Sequence, residues 1–253
     1  MAVVEVSNEG AVRTVTLNRP EKRNALNAEM LEALAAAFSQ PPAADERVAV
    51  IRANGPSFCS GLDLRERLGG PVSGSASPIE DMLHLVENYP LPVVAIVQGD
   101  AIAGGNELAL HCDFVIASTA ASFGMSLAQI GLAPSWFLAK KLLEVAGPVA
   151  SRRILLLGDA LPAARMAEMG IIHAAVPPDA LDVAARSVIN RLAANAPLSL
   201  RAMKALLVRE MAFRDHIAHE YVDHMVEAAR TSADAREGMA ARLEKRAPRF
   251  TGA

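Results

Sequence analysis

The sequence contains no uninterrupted apolar run near the ~20 residues that a membrane-spanning helix needs, although 52% of its residues are hydrophobic. No basic segment leads into an apolar one at the N-terminus, so we expect no secretory signal. Cysteine is scarce, and Cys59 and Cys112 lack the spacing pattern of a disulfide framework. Together these absences predict a cytoplasmic protein with no membrane partner.

Aromatic residues and an excess of charge of one sign are also rare. Phe, Trp and Tyr make up 4% of the sequence, and the net charge of −3 arises from interspersed acidic and basic residues. Proteins that bind nucleic acids rely on basic patches and, for single strands, on aromatic stacking platforms. We therefore expect no nucleic-acid partner.

What the sequence does contain is an alternation of short apolar strands with helical segments. Apolar runs predict strands over residues 48–52, 91–97 and 114–117, and helical periodicity covers residues 79–89 and 107–111. Such alternation is typical of an α/β protein in which ββα and βα units surround one core. A chain of 253 residues can form one large domain, with or without a small extension.

Further helices are predicted on either side of this alternation. One covers residues 25–38 and is opened by Asn27 as a plausible N-cap, and the last third of the chain is mainly helical, including residues 198–230. Residues 69–77 are instead rich in Gly, Ser and Pro. This composition fits either a mobile lid beside a site or an ordinary surface loop.

Two glycine-containing stretches, residues 58–64 and 99–108, carry the chemical information. In the second, Gly104 and Gly105 stand where a loop enters an apolar helix, so free N–H groups and the helix dipole point the same way. Two such loops facing each other would offer a pair of preorganised donors to an oxygen that becomes negative during reaction. Glu107 follows within one helical turn. The combination predicts oxyanion chemistry on a carbonyl compound.

Six segments, taken in order, resemble the enoyl-CoA hydratase/isomerase (crotonase) superfamily over nearly the whole chain. They are residues 17–27, the two glycine stretches, and residues 123–134, 234–238 and 244–250. The resemblance implies an α/β fold with a crotonase-like spiral core of repeated ββα units, which holds an acyl-CoA site in residues 1–196. It also implies a C-terminal helical region, residues 197–253, that assembles homotrimers or dimers of trimers.

The resemblance further implies roles for individual residues. The backbone N–H groups of Leu62 and Gly104 correspond to the oxyanion hole for the thioester carbonyl, and Glu107 corresponds to a catalytic glutamate. Coenzyme A is part of the substrate, so neither a separate cofactor nor a metal is expected. The residues that match positions contacting the substrate or coenzyme A are Arg23, Ala25, Leu26, Ser60, Asp63, Leu64, Leu127 and Phe250.

One motif departs from the family pattern. Residues 123–134 keep the register of the third family motif, but Leu127 stands where the family has its second glutamate. Addition of water to an enoyl double bond calls for two carboxylates, one to activate the water and one to help deliver the proton, so an ordinary hydratase mechanism lacks one group here. The polar side chains weighed for its place, each more simply explained as structural or substrate-lining, are Ser126, Gln129, Ser135 and His84.

Three histidines, His216, His219 and His224, fall in the predicted helix over residues 198–230. The first two are one turn apart, a spacing compatible with a metal ligand pair. Because no His-Glu-x-x-His pattern is present, we interpret them as part of a polar subunit interface or a solvated face.

We therefore expect an acyl-CoA-processing enzyme that stabilises a thioester enolate and uses a single glutamate as its acid/base. Hydration or double-bond isomerisation of an enoyl-CoA ranks first among the possible activities. An acyl-CoA lyase or decarboxylase is the next alternative. The rival class is a crotonase homologue that binds acyl-CoA without turning it over.

Overall fold

The computed structural model describes residues 2–69 and 77–252. Its strands, in chain order, are β1 (Val4–Glu9), β2 (Val12–Leu17), β3 (Val48–Ala53), β4 (Val93–Val97), β5 (Ala101–Ile102), β6 (Phe114–Ser118), β7 (Ser122–Gly124), β8 (Leu161–Pro162) and β9 (Ala174–Val176). Its helices are α1 (Ala28–Ser39), α2 (Leu64–Gly69), α3 (Pro78–Glu87), α4 (Gly104–Leu110), α5 (Trp136–Arg152), α6 (Ala163–Glu168), α7 (Leu181–Ala193), α8 (Pro197–Met211), α9 (Glu220–Thr231) and α10 (Ala233–Glu244).

These strands form two sheets. The larger has the order β1-β2-β3-β4-β6-β9, and the smaller has the order β5-β7-β8. β1 and β2 are antiparallel, and the turn between them contains Gly10 with a φ of +55°. The remaining pairs of the larger sheet are parallel, which places the helices that connect them on its faces.

The parallel strands are apolar on both faces because helices cover the sheet on each side. In β3, Ile51 belongs to the main core together with Leu34 of α1 and Leu83 of α3. The preceding residue, Val50, belongs to a second cluster that also contains Ile189 of α7. The period of two along the strand therefore sends successive side chains into two separate cores.

Several helix boundaries follow from local chemistry. α1 begins after Asn27, whose side-chain oxygen accepts a hydrogen bond from the Met30 N–H at 3.1 Å, as the sequence predicts for an N-cap. α5 is interrupted at Gly147, where φ is +67°, and Pro148 follows. Glycine tolerates that left-handed conformation, and proline cannot donate to the preceding turn, so the helix bends there.

The end of the chain packs back onto the third family motif. A short 3₁₀ turn, Ala128–Ile130, lies against α10 so closely that a Cβ on Gly238 would lie 2.4 Å from the Ile130 carbonyl oxygen. On the other side, a Cβ on Gly131 would lie 2.6 Å from the Asp234 carbonyl oxygen. Glycine at both positions lets the two backbones touch, which ties the C-terminal helices to the core.

The prediction of a helix over residues 198–230 is wrong, because α8 and α9 are separate and the three histidines do not share one helix. No Gly or Pro marks the break. Tertiary contacts account for it: Asp215 pairs with Lys140 at 2.5 Å, and the His219 ring stacks on Trp136 with centroids 4.3 Å apart. Contacts of this kind override helix propensity. Among the described residues, no group of three or more potential ligands is placed to hold a metal.

Two of the features predicted from the sequence remain predictions. The possible lid over residues 69–77 falls mainly on residues outside the described part of the chain. The division into residues 1–196 and 197–253 remains a prediction, although α8 begins at Pro197. Within the described ranges, none of the helices is both long and apolar enough to cross a membrane.

Candidate active site

The two glycine-containing loops lie face to face. The Ile102 N–H donates to the Cys59 carbonyl at 2.9 Å, and Cys59 forms an isolated parallel bridge with Ala101. A Cβ on Gly104 would lie 3.4 Å from the Gly61 Cα, and a Cβ on Gly61 would lie 3.1 Å from the Gly104 nitrogen. The start of α4 therefore meets the loop before α2 at backbone contact distance.

Glycine is required at this contact for two separate reasons. Gly61 has a φ of +87°, a left-handed conformation that other residues rarely adopt. Gly105 has no room for a side chain, because its Cβ would lie 2.1 Å from the Cys59 carbonyl oxygen. Ala103 takes a φ of +49° just before α4, and such strain is often found at functional sites.

Some N–H groups at this contact are already bonded: the Gly61 N–H points to the Cys59 sulfur at 3.5 Å, and the Asp63 N–H donates to the Leu26 carbonyl at 3.0 Å. In the described part of the chain, however, neither the Leu62 nor the Gly104 N–H donates a hydrogen bond. The structure therefore brings together the two groups that the sequence pointed to as an oxyanion hole.

Glu107 lies one turn inside α4 and is buried, with 1% of its surface exposed. Neither of its carboxyl oxygens has a hydrogen-bond partner among the described residues. The pKa of Glu107 is raised to about 8, mainly by burial; the charge of Lys141 opposes the rise and that of Glu80 adds to it. The carboxyl therefore favours its neutral form at pH 7 and loses its proton as the pH rises through about 8.

His111 stands one turn beyond Glu107 on the same face of α4. Its Nδ1 lies 2.7 Å from the Glu107 carbonyl oxygen and 3.8 Å from the carboxyl Oε2. Burial holds the pKa of His111 down at about 3, so the imidazole is neutral. Since a carbonyl oxygen can only accept, Nδ1 carries the proton and donates it there, which fixes the orientation of the ring.

Behind these residues, three charged side chains of α3 and α5 form a cluster. The Lys141 ammonium forms ion pairs with Glu87 and, at 3.1 Å, with Glu144, and all three side chains are nearly buried. The Phe137 ring stands one turn before Lys141 and packs 5.0 Å from the His111 ring. Lys141 is thereby held on the side of α5 that faces α4.

The residues predicted to contact coenzyme A lie together beside the glycine loops, with Ala25 and Leu26 buried. Leu26 pairs with Leu62 through an isolated bridge, and the Ser60 N–H donates to the Arg23 carbonyl at 3.0 Å. The Arg23 side chain is exposed and its φ is +51°. The other members of this group, Ala25 and Leu64, lie next to these residues along the chain.

Arg19 joins the segment that contains Ala25 to the loop that contains Asp63. It was not predicted as a site residue. Its guanidinium donates to the Ala25 carbonyl at 2.8 Å and pairs with the Asp63 carboxylate at 3.2 Å. The Asp63 side chain is thus already engaged, and its predicted role in substrate binding stays untested. The only signal in the sequence is the place of Arg19 in the first motif, just before Pro20.

The smaller sheet connects the glycine loop before α4 to the motif that contains Leu127. The Ala103 N–H donates to the Gly124 carbonyl at 2.7 Å, so the third motif is bonded directly to the glycine loop. The Leu127 side chain packs against two apolar clusters, one of which contains Ile130 and Met239 of α10. It joins the core and offers no polar group.

Three of the polar side chains named for the place of the second glutamate have other contacts. Gln129 donates to the Leu157 carbonyl at 3.1 Å, and the Ser135 hydroxyl accepts from the Leu138 N–H as the N-cap of α5. His84 is exposed and packs on the Phe137 ring at 4.0 Å.

Phe250 lies on the segment that folds back along α10, with 45% of its surface exposed. The N–H groups on either side of it, those of Arg249 and Thr251, donate to Glu237 and Asp234 of that helix. The ring is therefore presented at the surface by a well-bonded segment. Its predicted contact with substrate remains a prediction.

The fold and the site together define a class of protein: an α/β domain with a pair of backbone donors beside a buried carboxyl. A model of the enoyl-CoA hydratase/isomerase family matches residues 7–253. The chain therefore belongs to that family, as its motifs predicted.

Proteins similar to this chain catalyse different reactions. It is 33% identical to an (E)-benzylidenesuccinyl-CoA hydratase of Thauera aromatica, over 99% of this chain and 98% of that protein. It is 34% identical to a 1,2-epoxyphenylacetyl-CoA isomerase of Escherichia coli, over 96% of both. A methylmalonyl-CoA decarboxylase bound to 2-nitronate-propionyl-CoA superposes with a TM-score of 0.92 at 25% identity, over 99% of each chain. Hydration, isomerisation and decarboxylation are thus all represented among its relatives.

Proposed function

We propose that this protein hydrates or isomerises an enoyl-CoA, holding the thioester oxygen on the N–H groups of Leu62 and Gly104. Glu107 moves the α-proton. One observation carries the proposal: two N–H groups without acceptors lie beside a buried carboxyl without partners, all within the described residues. Unsatisfied buried polar groups are costly. A thioester that supplies the missing partners is the simplest explanation of all three.

The N–H pair supplies the electrostatic part of the reaction. When a proton leaves or joins the carbon next to a thioester, negative charge develops on the thioester oxygen, and two fixed donors lower the energy of that enolate. Both donors are backbone atoms, so the leucine side chain at position 62 does not impair them. Loss of one such donor typically costs about 100- to 1000-fold in kcat.

The protonation state of Glu107 separates the two reactions. Hydration needs a carboxylic acid to deliver the α-proton, so its rate should fall as the pH rises through the Glu107 pKa of about 8. Isomerisation of a 3-enoyl-CoA begins with removal of that proton, so its rate should rise over the same interval. The pH profile therefore identifies which reaction the free enzyme is prepared for.

We propose that coenzyme A binds along the segments that contain Arg23, Ala25, Leu26, Ser60 and Leu64. An exposed arginine on a fixed turn suits a phosphate, because the planar guanidinium makes charge-assisted hydrogen bonds to phosphate oxygens. Phe250 would add stacking on the adenine, contributed by a neighbouring copy of the chain.

The C-terminal helices would form the interface with that neighbouring copy. α8 and α9 expose large apolar side chains: Leu198, Met203, Leu206, Leu207, Tyr221 and Met225. Exposed apolar surface of this extent is typical of an interface between subunits. We propose a homotrimer or a dimer of trimers, which light scattering on the purified protein would distinguish from a monomer.

The test of the activity uses purified protein with crotonyl-CoA and with a 3-enoyl-CoA. Turnover of at least one is expected, and Glu107→Gln should lower kcat by about 100- to 10,000-fold. Glu29→Gln, on an exposed part of α1, is the matched control and should leave kcat unchanged. Tight binding of every acyl-CoA tested without turnover would instead favour a binding protein, and absence of binding would refute the assignment.

A decarboxylase is the second candidate, favoured by the TM-score of 0.92 to methylmalonyl-CoA decarboxylase. When a 2-carboxyacyl-CoA loses carbon dioxide, the electron pair of the broken C–C bond enters the same thioester enolate. That step needs the N–H pair but no base. Release of carbon dioxide from methylmalonyl-CoA by both the wild type and Glu107→Gln would favour this activity over hydration.

A further inference from the structure

We propose that Glu80 of α3 is the second proton-transferring carboxylate of this site and takes the place left by Leu127. The inference rests on the proposed function, because it concerns the same bound enoyl-CoA. In hydration, the Glu80 carboxylate would activate the water while Glu107 delivers the α-proton.

The start of α3 packs against the residue that carries one of the two N–H groups. Ile79 is buried, and its Cδ1 lies 2.9 Å from the place that a Cβ on Gly104 would occupy. Glu80 follows Ile79 directly and is half-buried in the first turn of α3. The N-terminal end of the helix dipole favours a negative charge in that turn.

Glu80 shares one side of α3 with two residues that contact α5. Residues 80, 84 and 87 recur at helical spacing and share one face. His84 packs on Phe137 of α5, and Glu87 pairs with Lys141 of the same helix. The face that carries Glu80 therefore looks across at α5.

Glu107 borders the same junction from α4. The Phe137 ring that packs on His84 also packs on His111, whose Nδ1 lies 3.8 Å from the Glu107 carboxyl. The polar sides of α3, α4 and α5 thus converge there. Glu80 lies in the first turn of α3 and Glu107 in the first turn of α4, and the charge of Glu80 acts on Glu107.

Three carboxylates around the glycine loops and α3 already have partners. Asp63 pairs with Arg19, Glu66 accepts the Ala28 N–H at 3.1 Å, and Glu87 pairs with Lys141. By contrast, none of the ion pairs formed among the described residues involves Glu80.

The two carboxyls also interact. Glu80 contributes to the raised pKa of Glu107, after burial and against the opposing charge of Lys141; His111 is the remaining group beside Glu107 and is neutral. Glu107 is buried and Glu80 is half-buried, and such different environments can divide the roles of acid and base between two carboxyl groups.

The chemical step is balanced without a further reactant. The water oxygen forms a bond to the β-carbon as Glu80 takes one water proton. The electrons of the carbon–carbon double bond move toward the thioester oxygen held by the N–H pair, and the α-carbon then receives the proton of Glu107. Proton exchange with solvent restores both carboxyls after the product leaves.

The test compares Glu80→Gln with Asp81→Asn, which removes the adjacent and exposed carboxylate of the same helical turn. With crotonyl-CoA, Glu80→Gln should lower the hydration kcat by at least about 100-fold and change KM by less than threefold. Asp81→Asn should retain wild-type kcat. Glu80→Asp, which keeps a carboxylate, should retain part of the activity, and thermal unfolding would verify that each variant is folded.

Other outcomes are equally decisive. If Glu80→Gln only moves the pH limb set by Glu107 and keeps the wild-type kcat at its new optimum, Glu80 acts through its charge alone and the proposal is wrong. A wild type that isomerises 3-enoyl-CoA but does not hydrate crotonyl-CoA would also overturn it while leaving the proposed function standing. A wild type that turns over no acyl-CoA would refute the proposed function itself.

Discussion

The glycine loop before α4 and the turn that carries Leu127 are bonded to each other, yet their side chains contribute opposite things. At the first, Glu107 is buried and has no hydrogen-bond partner among the described residues. At the second, Leu127 packs between the main core and α10. In both places the backbone is held by close contacts at glycine residues. A similar backbone arrangement can therefore carry a buried acid at one position and an apolar core residue at the other.

The largest effect should come from disturbing the glycine contact itself. Gly61→Ala would place a methyl group 2.9 Å from the Ile102 carbonyl oxygen and 3.1 Å from the Gly104 nitrogen. Because this separates the two N–H donors, kcat should fall by about 100- to 1000-fold. Steady-state kinetics would measure the loss. Gly170→Ala is the matched control, with a φ of +70° but no atom within 4 Å of the new Cβ, and should keep its kcat.

The next effect concerns the stability cost of the buried carboxyl. The pKa of Glu107 is raised from 4.5 to about 8 in the folded protein, so folding favours the protonated form. Its contribution is complete below pH 4.5 and is lost as the pH rises toward about 8. Relative to wild type, Glu107→Gln should therefore gain unfolding free energy across that interval. Urea unfolding at a series of pH values would measure it, and equal slopes for the two proteins would contradict it.

At Leu127 the expected losses are in stability rather than in activity. Leu127→Ala should lower the unfolding free energy by about 2 kcal/mol, because the side chain packs between two clusters and is only partly buried. Its kcat should stay within a few-fold of wild type. Leu132→Ala, in the same cluster, is the control and should show a similar stability loss. A loss of activity at Leu127 as large as that of Glu107→Gln would break the comparison.

Leu127→Glu asks whether the site still lacks an acid. With Glu80 as the second carboxylate, a further carboxylate among the apolar side chains around position 127 should leave hydration of crotonyl-CoA unchanged or lower it. A clear rise in kcat of a folded variant would show that Glu80 does not fill the place of the second family glutamate.

Local signals account for what the sequence predicted well. The Asn27 cap, the apolar strands and the glycine loops each depend on neighbouring residues, so their positions could be inferred from sequence spacing. The break between α8 and α9 could not, since Asp215 and His219 are held there by Lys140 and Trp136, far away in the chain. The same holds for Glu80, whose position beside Glu107 depends on how three helices pack.

The smallest expected effect concerns the charge of Lys141 and its influence on the pKa of Glu107. Lys141 lowers the pKa of Glu107 against the effect of burial, so Lys141→Met should move the pH limb of kcat/KM further above 8. Isomerisation at pH 7 should then fall by up to about tenfold, because less Glu107 is ionised, whereas hydration should persist to higher pH. Lys140→Met is the matched control: it removes the adjacent lysine, which pairs with Asp215. If both variants shift the pH dependence of kcat/KM equally, the position of Lys141 beside α4 does not determine the pKa of Glu107.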